Sequence, residues 1–151
     1  MRLDADILKL AVQLDGADVE ALRVCFRGRQ YRAGQTVFRE GEPGGFLLLV
    51  SEGELTVTTR GAGGASNAVG RVVAGDLCGE MALIDPAPRS ATVTARVDTV
   101  AWELGHDAME VLRRNAPRAA RAVVRASLRA VAGRLRRLGD RVDHLDREIL
   151  A

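Results

Sequence analysis

In "GDLCGEMALIDPAPRSATVTA", residues 75–95, one glutamate and one arginine stand nine residues apart among glycine, alanine and serine. Gly75 and Asp76 suit a turn, and "EMALI" is long enough for about one helical turn. The first turn of a helix carries unpaired N–H groups and partial positive charge, which suit an anion. Gly79 leaves room for a ligand to approach. Pro86 and Pro88 stiffen the return loop so that Arg89 comes back over the same turn. The Arg89 guanidinium offers donors in a fork that matches phosphate oxygens, and the Ser90 hydroxyl adds another. Glu80 makes sense beside a phosphate only if the same ligand presents it with a donor, and a sugar hydroxyl is the obvious one. Phosphate plus sugar hydroxyl implies a compact nucleotide whose base is covered by apolar strand residues. The alternative is an ordinary ion pair in a turn with no ligand.

Three kinds of segment must position these residues. "DADILKLAVQL" places Ile7, Leu10, Ala11 and Leu14 on one helical face, with Gly16 ending the pattern. "GADVEALRVCF" restarts it, with Asp18 as N-cap and Val19, Leu22 and Phe26 inward. From about Gln30 to Leu104 the chain is built of short β-branched runs: "QTVF", "FLLLVSEGELTVTTR", "GRVVAG", "SATVTARV" and "TVAWEL". Turn signals punctuate them at Gly34, Gly41, Gly44, Gly53, Gly61–Gly70 and Gly75, a rhythm that predicts an antiparallel sandwich or barrel. "RGAGGASNAVG" lacks the lysine of a phosphate-binding loop and its strand-to-helix setting, so it reads as a hairpin loop. "HDAMEVLRRN" predicts a short helix, and Pro117 suits the first position of the next one.

Composition restricts the function classes. The chain has 151 residues, 47% of them hydrophobic, enough for one domain with a core. Its N-terminus is interrupted by charges, and no apolar run approaches the roughly 20 residues that span a bilayer. The expectation is a cytoplasmic protein that does not enter a membrane. Cys25 and Cys78 form no ligand-spaced cluster and read as free, buried thiols. His106 and His144 are isolated, so no metal site is expected. No nucleophile–base pair is suggested, and the expectation is a protein that binds and does not catalyse. A phosphodiesterase is the contrasting class, which would want a His/Asp metal cluster. Net charge is only +2, yet Arg113, Arg114, Arg118, Arg121, Arg125, Arg129, Arg134, Arg136 and Arg137 occur with no acid between Val111 and Gly139. That face is either a solvated helix surface or an attraction for an acidic partner, nucleic acid or anionic lipid.

The long last helix carries Val124, Leu128, Val131, Leu135, Leu138, Val142, Leu145 and Ile149 at spacings of 4, 3, 4, 3, 4, 3 and 4. A strict seven-residue repeat favours a coiled coil, because a helix lying on a globular core drifts toward 3.6. Arg141 and Asp146 would pair across a parallel homodimer. Gly133 and Gly139 each cost the helix about 1 kcal/mol, so the coil is short. The other reading is a helix folded back on its own domain.

The cassette closely resembles that of the cyclic nucleotide-binding domain family, of the catabolite activator and protein kinase A regulatory subunit type. The family pattern is Phe-Gly-Glu-Leu-Ala-Leu, then Arg, a small residue, Ala, Thr or Ser, and Val. Here it reads Cys78-Gly79-Glu80-Met81-Ala82-Leu83, then Arg89-Ser90-Ala91-Thr92-Val93. "YRAGQTVFREGEPGGFLLLVSEGELTV" also resembles the family's first strands, with glycines at Gly34, Gly41 and Gly53. Cys78 and Met81 depart from the pattern but stay apolar.

The resemblance implies an α+β fold: an antiparallel β jelly-roll with N-terminal helices and a long C-terminal helix. It divides the chain into a cyclic nucleotide-binding domain at 1–116 and a dimerisation and capping helix at 117–151. It gives Glu80 the ribose 2′-hydroxyl, Arg89 the cyclic phosphate, and backbone N–H groups near Ala82 and Ala91 the same phosphate. Ser90 is a position that reaches phosphate or base, Val57 and Val72 line the base, and Arg134 of the long helix caps it. The implied function is a non-catalytic sensor of cyclic AMP that signals through its last helix to an effector the sequence does not name. Arginine at 134 can donate to guanine or stack on adenine, so cyclic GMP stays open. The alternative is a nucleotide-responsive protein whose basic helix binds an acidic partner or nucleic acid. The relatives' DNA-reading domain would follow the long helix, and with the chain ending at Ala151, sequence-specific DNA binding is not expected.

Overall fold

The computed structural model describes residues 3–14 and 16–150, without the side chains of residues 10 and 141–150. Two short helices, α1 (Ala5–Val12) and α2 (Ala17–Arg23), precede eight strands. These are β1 (Arg27–Tyr31), β2 (Thr36–Phe38), β3 (Phe46–Glu52), β4 (Glu54–Arg60), β5 (Ser66–Val73), β6 (Leu77–Cys78), β7 (Thr92–Ala95) and β8 (Thr99–Gly105). The one-turn helix α3 (Met81–Ile84) lies between β6 and β7, and α4 (His106–Asn115) and α5 (Pro117–Leu150) close the chain. The strands form two antiparallel four-stranded sheets, ordered β1-β8-β3-β6 and β2-β7-β4-β5. This is the jelly-roll with flanking helices that the sequence implied.

The continuous apolar run "FLLLV" in β3 is explained by burial on both faces. Leu48 and Val50 point between the sheets with Leu55, Val72, Val93 and Ala101. Leu47 and Leu49 point the other way, into a second core with Leu8, Leu22, Trp102, Leu104 and Leu112. Successive strand residues face opposite sides, so a strand that separates two cores must be apolar throughout. The first turns of α5 complete the second core with Ala119, Ala120, Ala122, Val123 and Ala126, whose small side chains let the helix approach α1 and α2.

Several local expectations need correction. In α1 the fully buried residues are Leu8 and Val12, while Ile7, Ala11 and Leu14 only pack against the edge of the core. The buried face is thus turned by one residue, and Leu10 lies outside the described side chains. Asp18 does not cap α2. That helix begins at Ala17 after Gly16, with no side-chain cap, and Asp18 sits in its first turn, 3.4 Å from Arg118. The glycine-rich loop is shorter than expected, because β5 starts at Ser66 and pairs with Arg60. Strand β1, "RGRQY", has no apolar alternation; it is an exposed edge held by its register with β8 and by Arg29–Glu103 at 2.8 Å. Of the two free thiols Cys78 is buried, whereas Cys25 is only partly covered.

Gly53 turns β3 into β4 with φ of 88°, and a Cβ there would stand 2.5 Å from the Asp98 carbonyl oxygen. Backbone atoms cannot yield cheaply, and left-handed φ disfavours any other residue. Gly53→Ala should therefore lower stability by about 2 kcal/mol. Thermal unfolding should show a Tm lowered by roughly 5 °C; an unchanged Tm would contradict the assigned turn.

Candidate ligand site

The site forms where β6 runs into α3. Gly79 adopts φ of 73°, and a Cβ on it would lie 2.6 Å from Arg89 Nη1, so only glycine lets the guanidinium lie against this turn. Two backbone bonds fix the return loop: Gly41 N–H donates to the Arg89 carbonyl and Arg89 N–H to the Glu42 carbonyl, both at 2.8 Å. The β2–β3 loop also approaches α3 through Gly44, whose added Cβ would fall 2.4 Å from that of Ala82. His106, at the start of α4, places Nε2 3.0 Å from the Ala82 carbonyl oxygen. Three separate segments thus hold one short turn.

Arg89 is buried. Its Nη1 donates to the Gly79 carbonyl at 3.1 Å and its Nη2 to the Phe46 carbonyl at 3.0 Å. The guanidinium lies 3.9 Å from the ring centre of Phe38 and 4.5 Å from that of Phe46. Phe38 and Phe46 pack edge-on at 6.0 Å, so two of the chain's three phenylalanines make the platform for this cation. Desolvation lowers the Arg89 pKa, but a guanidinium stays charged in any protein setting. Burial pushes the Cys78 thiol up to about 12.

Glu80 is fully buried. Its Oε1 accepts a hydrogen bond from Arg134 Nη1, and Arg134 Nη2 donates to the Leu77 carbonyl at 2.8 Å. Arg134 therefore stands on the carboxylate at the base of the site. Among the described residues, two buried side-chain polar atoms have no partner: Glu80 Oε2 and Arg89 Nε. They belong to the two residues that the sequence singled out.

A cavity of about 670 Å³ opens above this turn, within the size range of small-molecule sites. Sequence reasoning named Val57, Val72, Gly79, Glu80, Met81, Ala82, Arg89, Ser90, Ala91 and Arg134, and all ten line this cavity. It missed Phe38, which also lines the cavity, as well as Phe46, Gly44 and His106, which support the turn. Nothing local in the sequence marks Phe38, Phe46, Gly44 or His106, because their roles arise from tertiary approach. Among the described residues no group of three or more His, Cys, Asp or Glu could hold a metal ion, and no helix is long and apolar enough to cross a membrane.

A buried carboxylate and a buried guanidinium thus meet at one turn beneath a cavity of small-molecule size, and similarity to known proteins gives the class of domain. The profile of the cyclic nucleotide-binding domain matches residues 28–116, and the chain belongs to that family. It is 36% identical over 107 residues to the cGMP-dependent protein kinase egl-4 of Caenorhabditis briggsae, covering 71% of this chain and 13% of the kinase. It is 28% identical over 143 residues to a CRP-like cAMP-activated global transcriptional regulator of Mycobacterium tuberculosis, covering 93% of this chain and 62% of the regulator. This chain therefore spans less than two thirds of either relative. Among solved structures, a cyclic nucleotide-binding domain from Methylobacillus flagellatus superposes with a TM-score of 0.82 at 28% identity, covering 91% of this chain and 80% of that one. The family domain is regulatory and non-catalytic in itself.

The two thiols provide a check on the site's packing. At pH 8, where the thiolate is the reactive species, Cys78 should resist iodoacetamide in the native protein and Cys25 should react slowly, since burial raises both thiols. Both should react after denaturation. Rapid native labelling of Cys78, read by intact mass, would mean that the turn is open.

Proposed function

We propose that this chain is a non-catalytic sensor that binds a 3′,5′-cyclic mononucleotide in the cavity above α3 and signals through α5. One observation carries the reading: among the described residues, the buried side-chain atoms without partners are one carboxylate oxygen and one guanidinium nitrogen, of two residues that line the same cavity. An unmet buried polar atom costs about 1–3 kcal/mol, so such pairs persist where something else completes them. A ligand offering a hydroxyl donor and an anionic oxygen would satisfy both. In this arrangement Glu80 receives the ribose 2′-hydroxyl and Arg89 the cyclic phosphate, with Ser90 and the backbone near Ala82 and Ala91 beside it. Val57 and Val72 offer the base an apolar wall. Cyclic AMP is the preferred ligand and cyclic GMP the alternative; one relative is named for each.

The proposal extends to assembly. In α5, Val124, Leu128, Leu135 and Leu138 are exposed although apolar, and Leu135 is 63% exposed. Val131 is partly buried, and Val142, Leu145 and Ile149 lie outside the described side chains. An apolar stripe at heptad spacing supports a parallel homodimer, the effector being a further protein in the cytoplasm.

Isothermal titration with cyclic AMP and cyclic GMP should give saturable binding. Arg89→Ala should weaken it by about 3 kcal/mol, roughly a hundredfold, because a buried phosphate loses its charged donor. Equal affinity in the variant would remove Arg89 from the site. For the dimer, Leu135→Asp puts a charge into the seam and should yield monomers by light scattering. A monomeric unsubstituted protein would end that part of the proposal.

A further inference from the structure

The surface arginines of this protein do not share one environment. Arg29, Arg71, Arg96 and Arg113 each form an ion pair with a carboxylate. Arg39 and Arg60 form none, but their backbone N–H groups donate to Glu42 and Glu40, so acids stand beside them. Along α5 this compensation stops. Successive helical residues turn by about 100°, which puts Arg118, Arg121, Arg125, Arg129 and Arg136 within about 80° of one another on one exposed face. Among the described residues only Arg118 of these five meets an acid, Asp18 at 3.4 Å. The sequence has no acid between Val111 and Gly139. This face is separate from the core side of the helix, where Ala119, Ala122 and Ala126 are buried. It also lies about a quarter turn from the exposed apolar stripe of Val124, Leu128 and Leu135. Like charges at i, i+4 disfavour a helix, and Arg121–Arg125 and Arg125–Arg129 are both so placed. Such a row weakens α5 on its own and is relieved by a partner that brings carboxylates.

We propose that this arginine ridge is the docking surface for the effector, and that the docking segment is a short acidic stretch of protein with carboxylates at helical spacing. The inference rests on the reading that α5 signals to a further protein, and it names that partner's chemistry. Arg121, Arg125 and Arg129 step along the helix by about 6 Å, the rise of one i, i+4 interval. Glutamates at the same interval on a helix laid alongside meet them in turn, and each guanidinium fork suits a carboxylate. The ends of the ridge disfavour a long polyanion. Asp18 stands against Arg118 at one end, and Asp140 lies on the same face one turn past Arg136 at the other. The row between them is about 27 Å long. Duplex nucleic acid or a lipid surface carries continuous negative charge and would press on both carboxylates, whereas a segment of that length ends before them. Arg129 also lines the ligand cavity, so the ridge runs up to its rim. A docked segment and a ligand thus meet the same stretch of α5.

Fluorescence anisotropy on the full chain tests the ridge, with an alanine-rich peptide of about 20 residues bearing glutamate at every fourth position as the probe. At about 0.15 M salt the peptide should bind saturably, and its affinity should fall as salt is raised. The triple variant Arg121→Gln, Arg125→Gln, Arg136→Gln should weaken binding about tenfold or more. The triple variant Arg32→Gln, Arg39→Gln, Arg60→Gln removes the same charge elsewhere and should leave affinity within about twofold. None of the three ridge residues lines the cavity, so the first variant should still bind cyclic AMP. Absence of peptide binding, or an equal loss in both variants, overturns the proposal. Tighter binding of a duplex DNA oligonucleotide, or of phosphatidylcholine vesicles with about a third phosphatidylserine, also overturns it. If the ridge variant does not fold, Arg125→Gln alone, at the middle of the row, should weaken the peptide about threefold, and unchanged affinity there decides against the ridge. Failure of the unsubstituted protein to bind cyclic AMP or cyclic GMP, with peptide docking intact, strikes the nucleotide reading and leaves the ridge standing.

Discussion

A carboxylate with no access to water must be compensated, and the structure is arranged around that need at Glu80. An isolated buried ion costs several kcal/mol, which only charged donors in good geometry offset. Arg134 supplies them from α5, and in doing so it also takes the Leu77 carbonyl of β6. Arg89, the second cation of the site, ties the α3–β7 loop to Phe46 of β3 and to Gly79. Two arginines thus join a helix, two strands and a turn at one point. The surface pairs Lys9–Asp6 and Arg113–Glu110 sit in solvent and contribute far less.

That point is mechanically connected to the rest of the domain through adjacent residues that face opposite cores. Cys78 belongs to the core between the sheets and Leu77 to the core beneath the helices. Leu48 and Leu49, their register partners in β3, divide in the same way. Interiors are close-packed, so a shift of β6 or α3 is felt on both sides.

The sequence was most legible where spacing alone encodes the chemistry. Glu80 and Arg89 are nine residues apart in one turn and loop, and the strands around them carry ordinary β-branched alternation. Helix α4 and the Pro117 start of α5 were legible for the same local reasons. What escaped depends on tertiary pairing. Strand β1 is polar along its length and exists because β8 offers it a partner. The burial of Leu8, not Ile7, is set by where α2 and α5 pack against α1, which no periodicity over eight residues specifies. Arg134 could be placed near the cavity from its position along α5, but its bond to Glu80 depends on the rotation of a helix far away in sequence.

Helix α5 is two structures in one. Its first half is held by packing, with Ala119, Ala120, Ala122, Val123, Ala126 and Ser127 all buried. Beyond Ser127 no described residue of the helix is buried, and Leu128, Leu135 and Leu138 are exposed. Gly133 and Gly139 lie in this second half without steric need, since a Cβ at Gly133 would make ordinary contact at 3.6 Å and one at Gly139 would meet nothing within 4 Å. Each weakens the helix by about 1 kcal/mol relative to alanine. The segment carrying Arg134 is therefore attached to the domain by side-chain hydrogen bonds more than by an apolar seal. Breaking a hydrogen-bonded contact at a cavity wall exposes little apolar surface, whereas lifting the first half would open the core. The boundary near Ser127 is thus where α5 can change its relation to the domain at least cost, and Arg134 lies less than two turns beyond it.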